Sequence, residues 1–385
     1  MAWLKRTLMA GRGPGNWFGD GSDGDIRVGS AGAEQSFDGG FTWSTIPGWT
    51  IVGSVVLIPS VQDGDMVLVN ACNLTVDSGY TLTVMNRCRG LLVYCTGIAT
   101  ISGKALSMTA RGCHANPADS TTTSDTPVAP SDGNAVPAEG IILRRLAHGQ
   151  TDTHTGVLGL GLGLAMLASE ANQPIVDGDG LVIAIPRIGG AGAPYNEDIP
   201  DSPGYDGSAR ENAPGGGGGG GNYGANSQTP PSADGTCYAG GPGVGGANAA
   251  PGLAPGEYGG PGSAGVAPFA STRNGCGGGA GNPGGLGIKS GEDGEDGVGG
   301  LLILIARAIV VVGFAQLAAE GSPGGSGPSG VRSGGGGSGA GAIFVFCASL
   351  TGSITPLISG GPGGTATMDG GKGGDGHYSL HFIDP

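Results

Sequence analysis

Charge is scarce in this chain. Asp, Glu, Lys and Arg together make up 12% of the 385 residues, and aromatics only 5%. The charges that are present sum to −14, with no basic stripe, which excludes a surface built to neutralise phosphates and hence nucleic-acid binding. No Cys-x-x-Cys spacing joins any of the 7 cysteines, which argues against a structural zinc site. Cys72, Cys95 and Cys347 sit inside apolar runs and read as small buried hydrophobes. Cys237 and Cys276 lie in glycine-rich sequence, where a pairing is open. The longest apolar run, Leu301–Phe314, contains Arg307 and is shorter than the roughly 20 residues of a membrane-spanning helix, so no membrane insertion is expected. The first residues, Met1-Ala2-Trp3-Leu4-Lys5-Arg6, lack the apolar centre of a secretion signal, so synthesis in the cytoplasm is expected.

Glycine, by contrast, accounts for 87 residues, gathered in tracts such as Gly215–Gly221 and Gly334–Gly337. Each glycine surrenders more conformational entropy on ordering than any other residue. Disordered chains combine high charge with low hydrophobicity. This chain has little charge and a slightly positive mean hydropathy, so the tracts are expected to be ordered. Glycine tracts punctuated by Pro, Ala and Asn suit the polyproline-II conformation, with three residues per turn and no internal hydrogen bonds. Strict Gly-x-y repetition is missing, which excludes collagen.

Between the tracts the sequence reads as β-structure. Met66-Val67-Leu68-Val69, Leu74-Thr75-Val76 and Tyr80-Thr81-Leu82-Thr83-Val84 are short runs rich in β-branched residues, parted by Asn70, Asn73 and Asp77-Ser78-Gly79. Their spacing predicts successive faces of a coiled β-structure rather than hairpins. An internal repeat supports this. Gly90-Leu91-Leu92-Val93-Tyr94-Cys95 is echoed by Gly300-Leu301-Leu302-Ile303-Leu304-Ile305 and by Ala342-Ile343-Phe344-Val345-Phe346-Cys347. Each copy is followed by a short apolar run and then by glycines. The fold class that follows is mainly β, a β-helix or β-sandwich-like core of short strands. Glycine-rich polyproline-II-like segments and at most one short helical insertion complete it.

The chain divides into five parts: an N-terminal attachment segment (1–50), a β-rich core part (51–112) and an insertion of loop, helix and one strand (113–186). A glycine-rich region (187–299) and a second β-rich core part with glycine tracts (300–385) follow. The helix is expected over 138–171, where Val157, Leu158, Leu160, Leu162, Leu164, Met166 and Leu167 cluster, although Gly156, Gly159, Gly161 and Gly163 weaken it.

No catalytic constellation stands out, and no cofactor is implied. Gly159-Leu160-Gly161-Leu162-Gly163 lacks the βαβ context of a dinucleotide loop. Asp20, Asp23 and Asp25 could ligate calcium or simply form a polar turn. Gly370-Gly371-Lys372-Gly373-Gly374-Asp375 resembles one calcium nonapeptide, with His377 where that motif wants an apolar residue. Asp63, Asp65, Glu170, Asp177 and Asp179 are available for a glycosidase pair, but nothing in the sequence brings two of them together. Binding is easier to place. Tyr205, Tyr223, Tyr238 and Tyr258 stand on glycine-rich loops, where tyrosine serves either recognition or packing.

Phe18-Gly19-Asp20-Gly21-Ser22-Asp23-Gly24-Asp25-Ile26, followed by β-runs such as Asn73–Val76 and Gly79–Thr83, resembles the opening of tailed-bacteriophage virion proteins. The region 187–299 resembles phage adhesins built of packed polyglycine-II helices. The resemblance implies a tail fibre, spike or other virion appendage located in the virion, and an obligate homo-oligomer, a trimer. It also implies contacts to other virion proteins through the N-terminal region and to a host surface glycan or outer-membrane protein. Two alternatives stay open: a polysaccharide-degrading tail spike and a cellular glycine-rich surface protein.

Overall fold

The computed structural model describes residues 18–19, 21–61, 67–88, 90–112, 189–193, 202–219, 240, 299–324, 335–365 and 368–383, together with paired segments at 139–145, 164–170, 175–176, 182–184, 246–247 and 275–276. Strand is the only regular secondary structure among them. The strands are β1 (Asp25–Gly29), β2 (Gly32–Ser36), β3 (Ser44–Thr45), β4 (Thr50–Val52), β5 (Val55–Ile58), β6 (Val67–Ala71), β7 (Leu74–Val76), β8 (Thr81–Val84) and β9 (Gly90–Ser107). Next come β10 (Glu139–Arg145), β11 (Leu164–Glu170), β12 (Ile175–Val176), β13 (Val182–Ala184), β14 (Gly246–Ala247) and β15 (Gly275–Cys276). The last four are β16 (Leu301–Ala318), β17 (Ala342–Thr351), β18 (Ile354–Leu357) and β19 (His377–Phe382). No helix of the described residues is long and apolar enough to cross a membrane.

Thirteen of the strands form one mixed sheet, and its parallel pairings resolve into three ladders. The first runs β6–β9–β16–β17–β19, using only the leading half of each long strand. The second runs β1–β7–β9–β16–β17 through their middles. The third runs β5–β8–β9–β16–β18 through their trailing ends. The corner between the second and third ladders carries a left-handed glycine in four successive turns: Gly79, Gly103, Gly313 and Gly352, with φ of 85°, 64°, 75° and 91°. A side chain there would meet the Cβ–carbonyl clash that glycine avoids.

Register turns the repeat of the sequence into columns. In the first ladder Val69, Val93, Leu304, Val345 and Leu380 stack on one another, and so do Ala71, Cys95, Ala306, Cys347 and Phe382. Most of these side chains belong to one continuous core. Because side chains alternate along a strand, the intervening residues face the other way. There Leu301, Ile303, Ile305, Phe344 and Phe346 are buried as well. Burial on both faces is why these strands read as unbroken apolar runs. The small members of the second column fit where the chain turns away, and they explain the cysteines: Cys95 and Cys347 are fully buried thiols, and Cys72, at the adjacent corner, is half-buried.

The helix expected over 138–171 is corrected by the structure. Its described portions are β10 and β11, an antiparallel pair from Glu139↔Glu170 to Arg145↔Leu164. Gly156, Gly159, Gly161 and Gly163 each cost about 1 kcal/mol in a helix. Antiparallel pairs also decorate the sheet at β1–β2, β2–β3 and β4–β5.

Beyond the strand ends the glycine tracts are ordered against one another. Gly215 and Gly218 donate to the carbonyls of Ala340 and Gly337 (2.8 and 2.9 Å), while Gly216 and Gly219 donate to Ser208 and Tyr205 (both 2.8 Å). Gly371 and Gly374 donate back to Gly219 and Gly216, and Gly337 and Ala340 donate to Gly371 and Gly374. Ser338 and Gly341 bond to Ser322 and Ala319, and Gly361 and Gly364 bond to Ser338 and Gly335. In every case residues three apart reach the same neighbour. None of these bonds lies within one extended run, since the two inside 202–219 cross between its arms on either side of the turn at 211–213, and no described tract glycine has a positive φ. That is the hydrogen-bonding signature of a three-residue-per-turn extended helix packed side by side with others. The lattice draws on 189–193, 202–219, 319–324, 335–341, 359–365 and 369–376. It is therefore built as much from the tracts after the third apolar copy as from 187–299.

Candidate functional site

A three-residue period also fixes which side chains such a tract can display. In 369–376 the exposed positions are Asp369, Lys372 and Asp375, and in 359–365 they are Ser359, Pro362 and Thr365. The residues between them face neighbouring tracts. The 369–376 tract lies between two others. It accepts at Asp369 and Lys372 from Gly204 and Gly207, and it donates from Gly370 and Gly373 to Gly364 and Gly361. Three rows of side chains therefore lie next to one another, with Tyr205 and Asp206 on the third.

Polar bonds hold this strip. The Lys372 amide donates to Asp206 Oδ1 (2.7 Å), Lys372 Nζ donates to Asp375 Oδ1 (2.7 Å), and the Gly360 amide reaches the same oxygen at 2.9 Å. The bond from Lys372, with help from the Gly360 amide, holds the Asp375 carboxyl below the usual carboxylate range. The tract that resembles a calcium nonapeptide thus spends its aspartate on a lysine and a backbone amide. The outcome is a hydrogen-bonded surface of mixed charge, hydroxyls and one phenol.

Of the tyrosines singled out in the sequence, Tyr205 is 43% exposed on this strip while its carbonyl is held by Gly219. Tyr223, Tyr238 and Tyr258 lie outside the described residues. So do Asp20, Asp63, Asp65, Asp177 and Asp179, the side chain of Glu170, and the possible partnership of Cys237 with Cys276. Asp23 accepts the Asn70 amide (2.7 Å) and Asp25 accepts from Asn73 Nδ2 (2.7 Å), so both carboxylates stitch the first turn to the next. Among the described residues no group of three or more His, Cys, Asp or Glu could hold a metal ion.

A second display site was not singled out by the sequence. Between β2 and β3 the chain is folded around Asp38. Its carboxylate accepts from Ser36 Oγ (2.7 Å), Thr42 Oγ1 (2.5 Å) and the amides of Phe41 (3.0 Å) and Thr42 (2.9 Å). Thr42 first, then Ser36 and Phe41, hold this exposed carboxyl far below the usual range. The loop presents Phe41 at 88% and Phe37 at 49% exposure. Trp43 beside it is fixed by Nε1 donating to the Gly40 carbonyl (3.0 Å) and by Arg27, 4.7 Å above its ring. Ser36-x-Asp38 followed by glycines is the signal that could have found the loop, since short polar side chains before glycine clasp turns.

Comparison with protein-family models, with curated proteins and with solved structures gives no match for this chain.

Proposed function

We propose that this chain is a structural protein of a tailed-phage virion, a tail fibre, spike or related appendage that contributes to host attachment and works as a homo-oligomer, a trimer. In this reading the three ladders are the faces of one β-helical coil, the N-terminal region docks other virion proteins, and the glycine lattice carries the host-facing surface. The observation that carries the reading is the direct passage of stacked strands into a hydrogen-bonded glycine lattice, as where Ala318 of β16 leads into 319–324 and 335–341 leads into β17. Such a body is rigid without a large aromatic core, and its exposed rows supply polar and aromatic contacts of the kind that recognise glycans or outer-membrane loops. Three residues per turn at about 3.1 Å each would repeat a side-chain row roughly every 9 Å, a spacing suited to an extended, repetitive ligand.

The test is twofold. Antibody against the purified chain, applied to virions and imaged by electron microscopy, is expected to decorate an appendage. The purified protein is expected to run as an SDS-resistant oligomer. A freely soluble monomer that labels no virion overturns the proposal.

A further inference from the structure

Among the described residues five buried side-chain polar atoms have no hydrogen-bond partner: Tyr94 Oη, Arg307 Nε, His377 Nε2, Ser379 Oγ and His381 Nε2. All five occupy positions of the first ladder, or just beyond its end, that alternate with the core residues. Three of them belong to β19. Among the described strands it pairs with β17 alone, at the end of the ladder, from Ala342↔His377 to Cys347↔Phe382. His381 closes the column Tyr94–Ile305–Phe346 and is stacked on Phe346, with centroids 5.0 Å apart and planes 17° apart. His377 is tilted against Phe344 at 5.9 Å. Tyr378 and Leu380, on the opposite face, pack on the core.

A neutral imidazole can lie on a phenyl ring with one nitrogen unpaired at modest cost. An imidazolium carries a donor on both nitrogens and a charge that needs water or a carboxylate. Among the described residues nothing accepts from either Nε2. The β17 side chains on this face are Phe344 and Phe346. In the preceding tract Lys372 and Asp375 are paired with each other. Glu211 favours the charged form of His377, His381 disfavours it, and burial outweighs both. On the core side Cys347 and Tyr378 are pushed upward by burial and stay neutral.

We propose that β19 is an acid-released latch, in which protonation of His377 and His381 frees the strand from β17 and uncovers the end of the ladder at Cys347. Burial lowers both histidines from the ordinary 6.5. The strand is therefore fully held above that value. It loses its hold as pH falls through 6.5 toward the lowered folded values, where unfolded imidazoles take up protons that folded ones refuse.

The experiment labels the intact, full-length protein with 4,4′-dithiodipyridine, which reacts with thiols in mild acid, and locates the adducts by peptide mapping. Cys95 lies two strands further in, on the same column, and is the internal control. Between about pH 7.5 and about pH 5.5 the labelling rate of Cys347 is expected to rise severalfold relative to Cys95. The double variant His377→Phe/His381→Phe keeps ring packing without titration and is expected to abolish the rise. His377→Gln/His381→Gln supplies the same answer if the phenylalanine variant misfolds. A rise shared equally by Cys95, a rise that survives in the variants, or no rise at all overturns the proposal.

Discussion

Gly337 lies in the middle of the glycine lattice, and replacing it with alanine separates an ordered lattice from a flexible linker by the sign of the effect. A Cβ on Gly337 would stand 2.6 Å from the carbonyl carbon of Gly361, where carbon atoms need about 3.5–4.0 Å. The 359–365 tract would have to retreat by about 1 Å. That tract is bonded to the 335–341 tract through Gly361 N to Ser338 O (2.8 Å) and Gly364 N to Gly335 O (2.7 Å). A shift of this size takes both beyond hydrogen-bonding distance. Gly361 and Gly364 are buried, so each unpaired amide costs about 1–3 kcal/mol and the pair about 2–6 kcal/mol. In a flexible linker the same substitution would be neutral, or stabilising by about 0.4–1 kcal/mol, because alanine restricts the unfolded chain. Ser359→Ala, on the exposed row of the neighbouring tract, is the control and is expected within about 0.5 kcal/mol of wild type. The assay is the denaturant midpoint, with hydrogen exchange of the tract amides as a second readout should unfolding prove irreversible. A Gly337→Ala protein as stable as Ser359→Ala, or more stable than wild type, refutes the lattice energetics.

Tyr94→Phe removes a hydroxyl that is buried without a partner, so it is expected to stabilise the protein by about 1 kcal/mol in the same assay; a loss of that size would mean the hydroxyl is satisfied. The Asp38 carboxyl is depressed, so the order it confers is present above the ordinary value of 3.8 and is lost only as pH falls through its lower folded value. Hydrogen exchange of a peptide covering 36–43 is therefore expected to stay slow at about pH 4 in wild type and to be fast already at neutral pH in Asp38→Asn; equal protection in the two proteins would refute the clasp.

What was legible in the sequence was whatever repeats along the chain. The leading runs at Gly90, Gly300 and Ala342 announce a shared register because buried parallel strands need apolar residues on both faces, and the structure sets the three side by side. The density of leucines at 158–167 points to a helix, while the described parts of that region are strands at 139–145 and 164–170; the glycines at 156–163 were the sign against a helix. Partners within the lattice were not legible at all. Gly218 bonds to Gly337 and Gly207 to Lys372 across long stretches of sequence, and one glycine carries no side chain with which to specify another. His-Tyr-Ser-Leu-His-Phe looks like a half-exposed edge strand, and β19 is one; what could not be read is that the Nε2 atoms of His377 and His381 are covered within it.

The lattice is specified instead by the strands it joins. Ala318, Leu357 and Ala342 fix where three tracts begin or end, and the ladder has already set those ends in register. Once the ends are fixed, the remaining closure cost of each tract grows only slowly with its length. Neighbouring backbones emerge about 4.8 Å apart, the spacing that inter-strand hydrogen bonds impose, so the next amide meets the next carbonyl as the pleat gives way to a three-residue turn. Side chains are then admissible where the turn points outward, as at Lys372 and Pro362, where a single methyl fits between tracts, as at the buried Ala340, or where two small hydroxyls can satisfy each other, as the buried Ser322 and Ser338 do at 3.0 Å. A tract cut away from its strands would lose both register and spacing, and with no apolar surface to bury it would gain nothing to offset the entropy of its glycines. Order in the glycine-rich part of this chain is therefore a property of the ladder beneath it, and substitutions that loosen β16 or β17 should disorder the lattice before any change within the lattice disorders the strands.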